Sequence, residues 1–250
     1  MIPHHIATGP HRAPVLVLSN SLGATLAMWD PQFRALSDRF RLVRYDTRGH
    51  GLSPTPPGPY SIDDVGTDVI ELLDRLDAER AHVAGLSLGG MTAMWLGINA
   101  PRRLDRLVLL CTSPLMGPAQ MWADRAATVR EHGTRAIVDA TMQRWLTDGY
   151  RATHDIEPLR EMFLGVDDEG YANCCAAIER MDQTAGLESI IAPTLIIAGA
   201  QDPATPPDPH AHTIAQAISG ARLEVLDPGA HLVNVEQPEA VTNLILEHLE

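Results

Sequence analysis

The sequence predicts an α/β protein with a mostly parallel, doubly wound sheet and a helical cap inserted before the last strands. Three observations carry that prediction. Short apolar, β-branched runs recur along the chain, helical patterns separate them, and the alternation lapses once, between residues 113 and 186. The runs are Val15–Ser19, Leu42–Asp46, His82–Gly85, Leu107–Cys111, Thr194–Gly199 and Leu223–Leu226. They are apolar almost throughout rather than alternating, the pattern of strands covered on both faces. Strands separated by crossover helices pair in parallel, with right-handed connections.

The intervening helices follow from their end signals. Ser61-Ile62-Asp63-Asp64 reads as an N-cap with an acid three residues on, and Val65, Val69, Leu72, Leu73 and Leu76 continue one helical face. Leu88–Ala100 stops before Pro101, and Pro238 opens a last helix running to about Leu249. The lapse in alternation contains Gln120–His132, Thr134–Asp148, Glu157–Gly165 and Glu169–Thr184, all helical in pattern. Following the strand Leu107–Cys111, this insertion is expected beyond a strand's C-terminal end, where open α/β sheets bind ligands. The expected division is residues 1–112 and 187–250 as the sheet core and residues 113–186 as the cap. Pro54–Pro59 reads as a stiff loop, not a linker.

Composition excludes several functions. The chain of 250 residues is 45% hydrophobic, enough for one full core and too apolar for disorder. Its 19 Lys+Arg against 32 Asp+Glu leave a net charge of −13, which argues against nucleic acid as a partner. No apolar run approaches the ~18 residues of a membrane span. Met1-Ile2-Pro3-His4-His5 lacks the basic and long apolar stretches of a secretory signal, so a cytoplasmic location is expected. Three cysteines, Cys111, Cys174 and Cys175, do not make a disulfide framework. The residues carry no signal for oligomeric state.

The informative string is Gly85-Leu86-Ser87-Leu88-Gly89, a G-x-S-x-G pattern between a strand and a helix. On such a sharp turn the serine is lifted off the sheet to the positive end of the helix, where an anionic intermediate is stabilised. A serine nucleophile needs a base, and the base an orienting acid, in the chain order serine, acid, histidine. Asp202 follows the strand Thr194–Gly199, and His231 follows Leu223–Leu226, so both are expected on the side of the sheet that carries Ser87. Asp208, deeper in a Pro-rich loop, and Asp227, close to its own strand, are the rival acids. An oxyanion hole needs two converging backbone N–H groups. Leu88 supplies one candidate, and Leu22, in the loop Asn20-Ser21-Leu22-Gly23, supplies the other. Asp46–Gly51 reads as a braced loop, Cys174–Cys175 as a buried pair, and His210-Ala211-His212 as a helix start lacking further metal ligands at useful spacing.

These stretches resemble the α/β-hydrolase superfamily and, within it, the 3-oxoadipate enol-lactonases of bacterial aromatic degradation. The resemblance rests on Leu18–Gly23 with Met28–Gln32, Arg44–Ser53, Gly85–Gly90, Arg144-Trp145, Glu169–Ala172 with Cys175 and Ala177-Ile178, Ala204–Pro206, and His231 with Asn234–Glu236. Asn20-Ser21 discriminates, because many relatives carry His-Gly there. Only fourteen residues precede Val15, so one or more N-terminal edge strands are expected to be missing or reduced. The resemblance implies a small anionic lactone as substrate, a Ser87–His231–Asp202 acyl-enzyme route, and no metal or organic cofactor. It also implies a cationic or amide cluster that offsets the acidic chain; Arg144 is the candidate, with Trp145 as an apolar wall. The alternatives are a general carboxylesterase or cofactor-free perhydrolase with the same machinery, and a ligand-binding module that retains only the fold.

Overall fold

The computed structural model describes residues 1–250. In chain order the first half runs β1 His5–Thr8, β2 Val15–Ser19, α1 Asp30–Ser37, β3 Arg41–Tyr45, α2 Ile62–Arg75, β4 Ala81–Leu86, α3 Leu88–Asn99 and β5 Leu104–Leu110. A helical segment follows: α4 Ala119–His132, α5 Val138–Trp145, α6 Asp148–Thr153, α7 Glu157–Leu164 and α8 Asp168–Arg180. The chain ends with β6 Thr194–Gly199, α9 His212–Ala217, β7 Arg222–Leu226, α10 Val233–Glu236 and α11 Pro238–Leu249.

The seven strands form one sheet in the order β1-β3-β2-β4-β5-β6-β7, parallel throughout except for β1 on β3. All six expected strands are present. Every residue of β4 and β6 is buried, as uninterrupted apolar runs require when helices cover both faces. The strand order reverses between β2 and β4, and the register Ser19↔Gly85 brings their C-terminal ends level. That reversal opens the crevice in which parallel sheets hold ligands. No helix is long and apolar enough to cross a membrane.

The N-terminal edge strand is reduced to four residues, one of the two outcomes expected: β1 pairs His5↔Tyr45 through Thr8↔Leu42. The structure departs from the sequence reading at two places. The helix read over Thr134–Asp148 breaks in two. Leu146 is extended, and the Thr147 hydroxyl accepts from the Tyr150 amide, capping a new helix, α6. The helix read to Thr184 stops at Arg180, because the chain there turns to pair with the segment leaving β5. Leu115 and Asp182 form an isolated antiparallel bridge, and Gln183 N donates to Pro114 O at 2.9 Å. The two ends of the helical segment therefore meet.

The cap of α2 forms as its sequence demands. Ser61 Oγ accepts from Asp64 N at 3.1 Å, and Asp64 Oδ2 accepts from Ser61 N at 2.8 Å. Replacing Ser61 by Ala is expected to destabilise the protein by about 1 kcal/mol; a urea denaturation midpoint equal to that of the wild type would show that the box adds nothing.

Candidate active site

Ser87 stands between β4 and α3 with φ 58° and ψ −116°, a left-handed backbone that a side chain rarely adopts. Its neighbours impose it. Ser87 N donates to Leu110 O of β5 at 2.9 Å, while Ser87 O accepts from Met91 N at 2.9 Å and Thr112 Oγ1 at 2.8 Å. The flanking glycines make the turn possible. A Cβ on Gly85 would lie 2.1 Å from Gly89 O, and one on Gly89 would lie 2.1 Å from Ser19 O. The start of α3 thus presses against the end of β2.

That contact sets the loop after β2 beside Ser87. Asn20 is fully buried and anchors the loop, donating from Nδ2 to Tyr45 O at 2.7 Å and accepting from Trp29 Nε1 at 3.1 Å. Gly23 N donates to His50 Nε2 at 3.0 Å, so the ring hydrogen sits on Nδ1, which donates to Arg48 O at 3.1 Å. Burial holds the His50 pKa below the ordinary value and keeps the ring in the neutral form that accepts this bond. Arg48 is fixed in turn by two 2.7 Å bonds to Asp68. The Ser21, Gly23 and Ala24 amides all have acceptors, whereas the Leu22 amide has none within the protein. Leu88 opens α3, so its amide has no acceptor within the helix.

The histidine and its acid come from the ends of the last two strands. His231 Nδ1 bonds Asp202 Oδ2 at 2.8 Å, with both side chains buried. Thr205 Oγ1 donates to the same oxygen at 2.7 Å, and Ala204 N and Thr205 N donate to Oδ1 at 2.8 and 3.2 Å. Burial alone would raise the Asp202 pKa. The charge and hydrogen bond of His231 outweigh it, with help from Thr205 and Ala204, and the carboxyl lies below its ordinary value. The rival acids stay outside. Asp227 accepts from Gln201 on the surface, and Asp208 is solvent-exposed, its carboxylate 3.9 Å from the His212 ring Nδ1.

Ser87 and His231 open onto a small cavity lined also by Ser21, Leu22, Arg144 and Trp145. Sequence reasoning missed its other polar wall: Trp122 and Arg125, three residues apart on α4, and Tyr171 of α8. Arg125 donates from Nε to Tyr171 Oη at 2.7 Å and from Nη2 to Thr141 Oγ1 at 3.2 Å. The buried Trp122 Nε1 has no acceptor. Neither Arg125 nor Arg144 pairs with a carboxylate, and none of the twelve lining residues is acidic. Burial, and next the Arg125 charge, lower the Arg144 pKa, an unfavourable setting that a bound anion relieves. Trp145 is buried edge-on against Phe163 at 5.7 Å. No group of three or more His, Cys, Asp or Glu side chains is placed to hold a metal ion.

The model of the alpha/beta hydrolase family matches residues 15–244. The chain belongs to that family. Among its alpha/beta hydrolase relatives, 3-oxoadipate enol-lactonase 2 of Acinetobacter baylyi is 42% identical over 93% of this chain and 87% of its own length. The crystal structure of a hydrolase from Pseudomonas aeruginosa superposes with a TM-score of 0.95 at 42% identity, covering 98% of this chain and 93% of that one. The enol-lactonase from Burkholderia xenovorans gives 0.94 at 40% identity, over 98% and 95% of the two chains.

Two outcomes follow from the site's packing and charge. Gly89→Ala is expected to lose about 1–3 kcal/mol of stability through its clash with Ser19 O, read as a lower urea midpoint; an unchanged midpoint would refute the close approach. Because the folded Asp202 pKa is depressed, its contribution is complete above the ordinary carboxyl range near pH 4 and is lost as pH falls through the folded value. The thermal midpoint of Asp202→Asn is therefore expected to fall less steeply than the wild type's below about pH 4.

Proposed function

We propose that this hydrolase opens 3-oxoadipate enol-lactone to 3-oxoadipate through an acyl-enzyme on Ser87. One observation carries the reading: a serine at a strand–helix turn and a histidine paired to a buried carboxylate share a small cavity with two guanidinium groups that have no carboxylate partner. The relatives named above, two of them enol-lactonases by name, support the same substrate.

In this reading His231 takes the Ser87 proton as Oγ attacks the lactone carbonyl, and the Oγ–C bond forms. The Leu22 and Leu88 amides receive the developing oxyanion. The ring C–O bond then breaks, and the electron pair leaves on the enolate oxygen; the enolate takes up the proton held by His231 and becomes the ketone, which leaves the imidazole neutral. Water, deprotonated by His231, attacks the acyl carbon, the acyl C–Oγ bond breaks, and Ser87 Oγ takes the proton back from His231 as the second carboxylate is released. Asp202 holds the imidazole tautomer and stabilises its charged form. Residues 113–186 act as the cap. Arg144, joined by Arg125, Tyr171 and the Trp122 N–H, forms a wall of donors that receives the substrate carboxylate, and Trp145 supplies the apolar side.

The test is turnover of freshly generated enol-lactone, followed by ultraviolet absorbance and by 3-oxoadipate formation. Ser87→Ala is expected to stay folded and lose hydrolysis; normal turnover by that variant would end the covalent reading. Arg144→Ala is expected to raise KM more than it lowers kcat, by about tenfold, because a ground-state charge contact is lost. Aryl-ester hydrolysis without lactone turnover would keep the machinery and assign a general carboxylesterase.

A further inference from the structure

We propose that Glu236 is a positioning residue whose carboxylate locks the loop carrying His231 to the segment carrying Arg144 and Trp145. The inference rests on the reading of Ser87 and His231 as nucleophile and base. Glu236 ends α10, five residues beyond His231. Its Oε1 accepts from Thr147 N at 2.8 Å and from Thr147 Oγ1 at 2.7 Å, and its Oε2 accepts from Ala230 N at 2.5 Å. Leu232 N donates to Trp145 O at 2.8 Å. The amides on either side of His231 are therefore both tied to residues 145–147, one through Glu236 and one directly.

The donor set dictates the chemistry of this position. All three groups facing Glu236 donate, and a carboxylate accepts on both oxygens. A glutamine would turn its NH2 toward at least one of those N–H groups, which neither accepts nor makes room. The consequence reaches the reacting atoms. His231 has to sit within hydrogen-bond reach of Ser87, and the cationic wall has to face the same bound molecule. A misplacement of about 1 Å between such groups costs on the order of 100-fold in rate. Glu236 fixes both from outside the cavity, without lining it.

Two substrates separate the two halves of this role. A neutral ester, 4-nitrophenyl acetate, reads the histidine alone, and the anionic enol-lactone also reads the cationic wall. Glu236→Gln is expected to lower kcat about 10–100-fold on both substrates and to raise KM for the lactone only. Thr147→Val is expected to raise the lactone KM by about threefold to tenfold, the worth of one hydrogen bond, and Thr147→Ser to restore it. In the double variant the two KM effects should be less than additive, because both cut one link. A folded Glu236→Gln with wild-type kcat on the ester overturns the proposal, as do additive KM effects, which would trace Thr147 to its capping of α6. If Glu236→Gln does not fold, the Thr147 pair decides, and an unchanged lactone KM in Thr147→Val overturns the proposal. A wild type active on the ester but not on the lactone refutes the substrate reading alone, and kcat of Glu236→Gln on the ester then decides the inference. A wild type inactive on both overturns the two together.

Discussion

The left-handed backbone at Ser87 is the constraint on which the arrangement turns. A non-glycine residue held there costs on the order of 1–3 kcal/mol and persists only where its surroundings over-determine it. Here β5 grips its amide, Thr112 and Met91 grip its carbonyl, and Gly85 and Gly89 let α3 and β2 close around it. The same closeness puts the Leu22 and Leu88 amides beside the serine. One strained residue thereby fixes the direction of the hydroxyl and the place of two free donors.

Charge is distributed against the average of the molecule. The chain carries a net −13, yet the cavity has two arginines and no acid. The long-range field slows approach of an anion, while a partly desolvated guanidinium pair attracts it strongly at short range. Asp202 is the carboxylate placed against His231. It is acceptable there because four donors surround it, which keeps the charge buried and directed at His231.

The parallel strands were legible in the sequence because burial on both faces leaves an unbroken apolar run. Ser87, Asp202 and His231 stood out for a related reason: each closely follows such a run, so the topology alone brings them to one edge of the sheet. β1 escaped because an edge strand of four residues, His5–Thr8, has one paired side and little apolar content. The break at Leu146 was signalled only by the Thr147 cap, which the helical pattern around it masked. The contacts of Arg125, and those of Glu236 beyond its place in the stretch after His231, were hidden for a deeper reason. A charged residue on an amphipathic helix has the same local signature whether it faces solvent or a cavity. The partners of Glu236 include Thr147, 89 positions away. The spacing of Trp122 and Arg125 on one face of α4 was the one local hint.

The bridge between Leu115 and Asp182 has a consequence for how such a protein changes over time. Because the chain leaves the sheet and returns to it at one point, the stretch between can lengthen, shorten or be exchanged without moving either strand it interrupts. Closing a longer loop there costs only a fraction of a kcal/mol per doubling of length, roughly 0.6. The fold is thus divided into a sheet that carries Ser87, Asp202 and His231 at its strand ends and a helical stretch joined to it at one point. About seventy residues can change in length or sequence there while the strand that leads into Ser87 keeps its place.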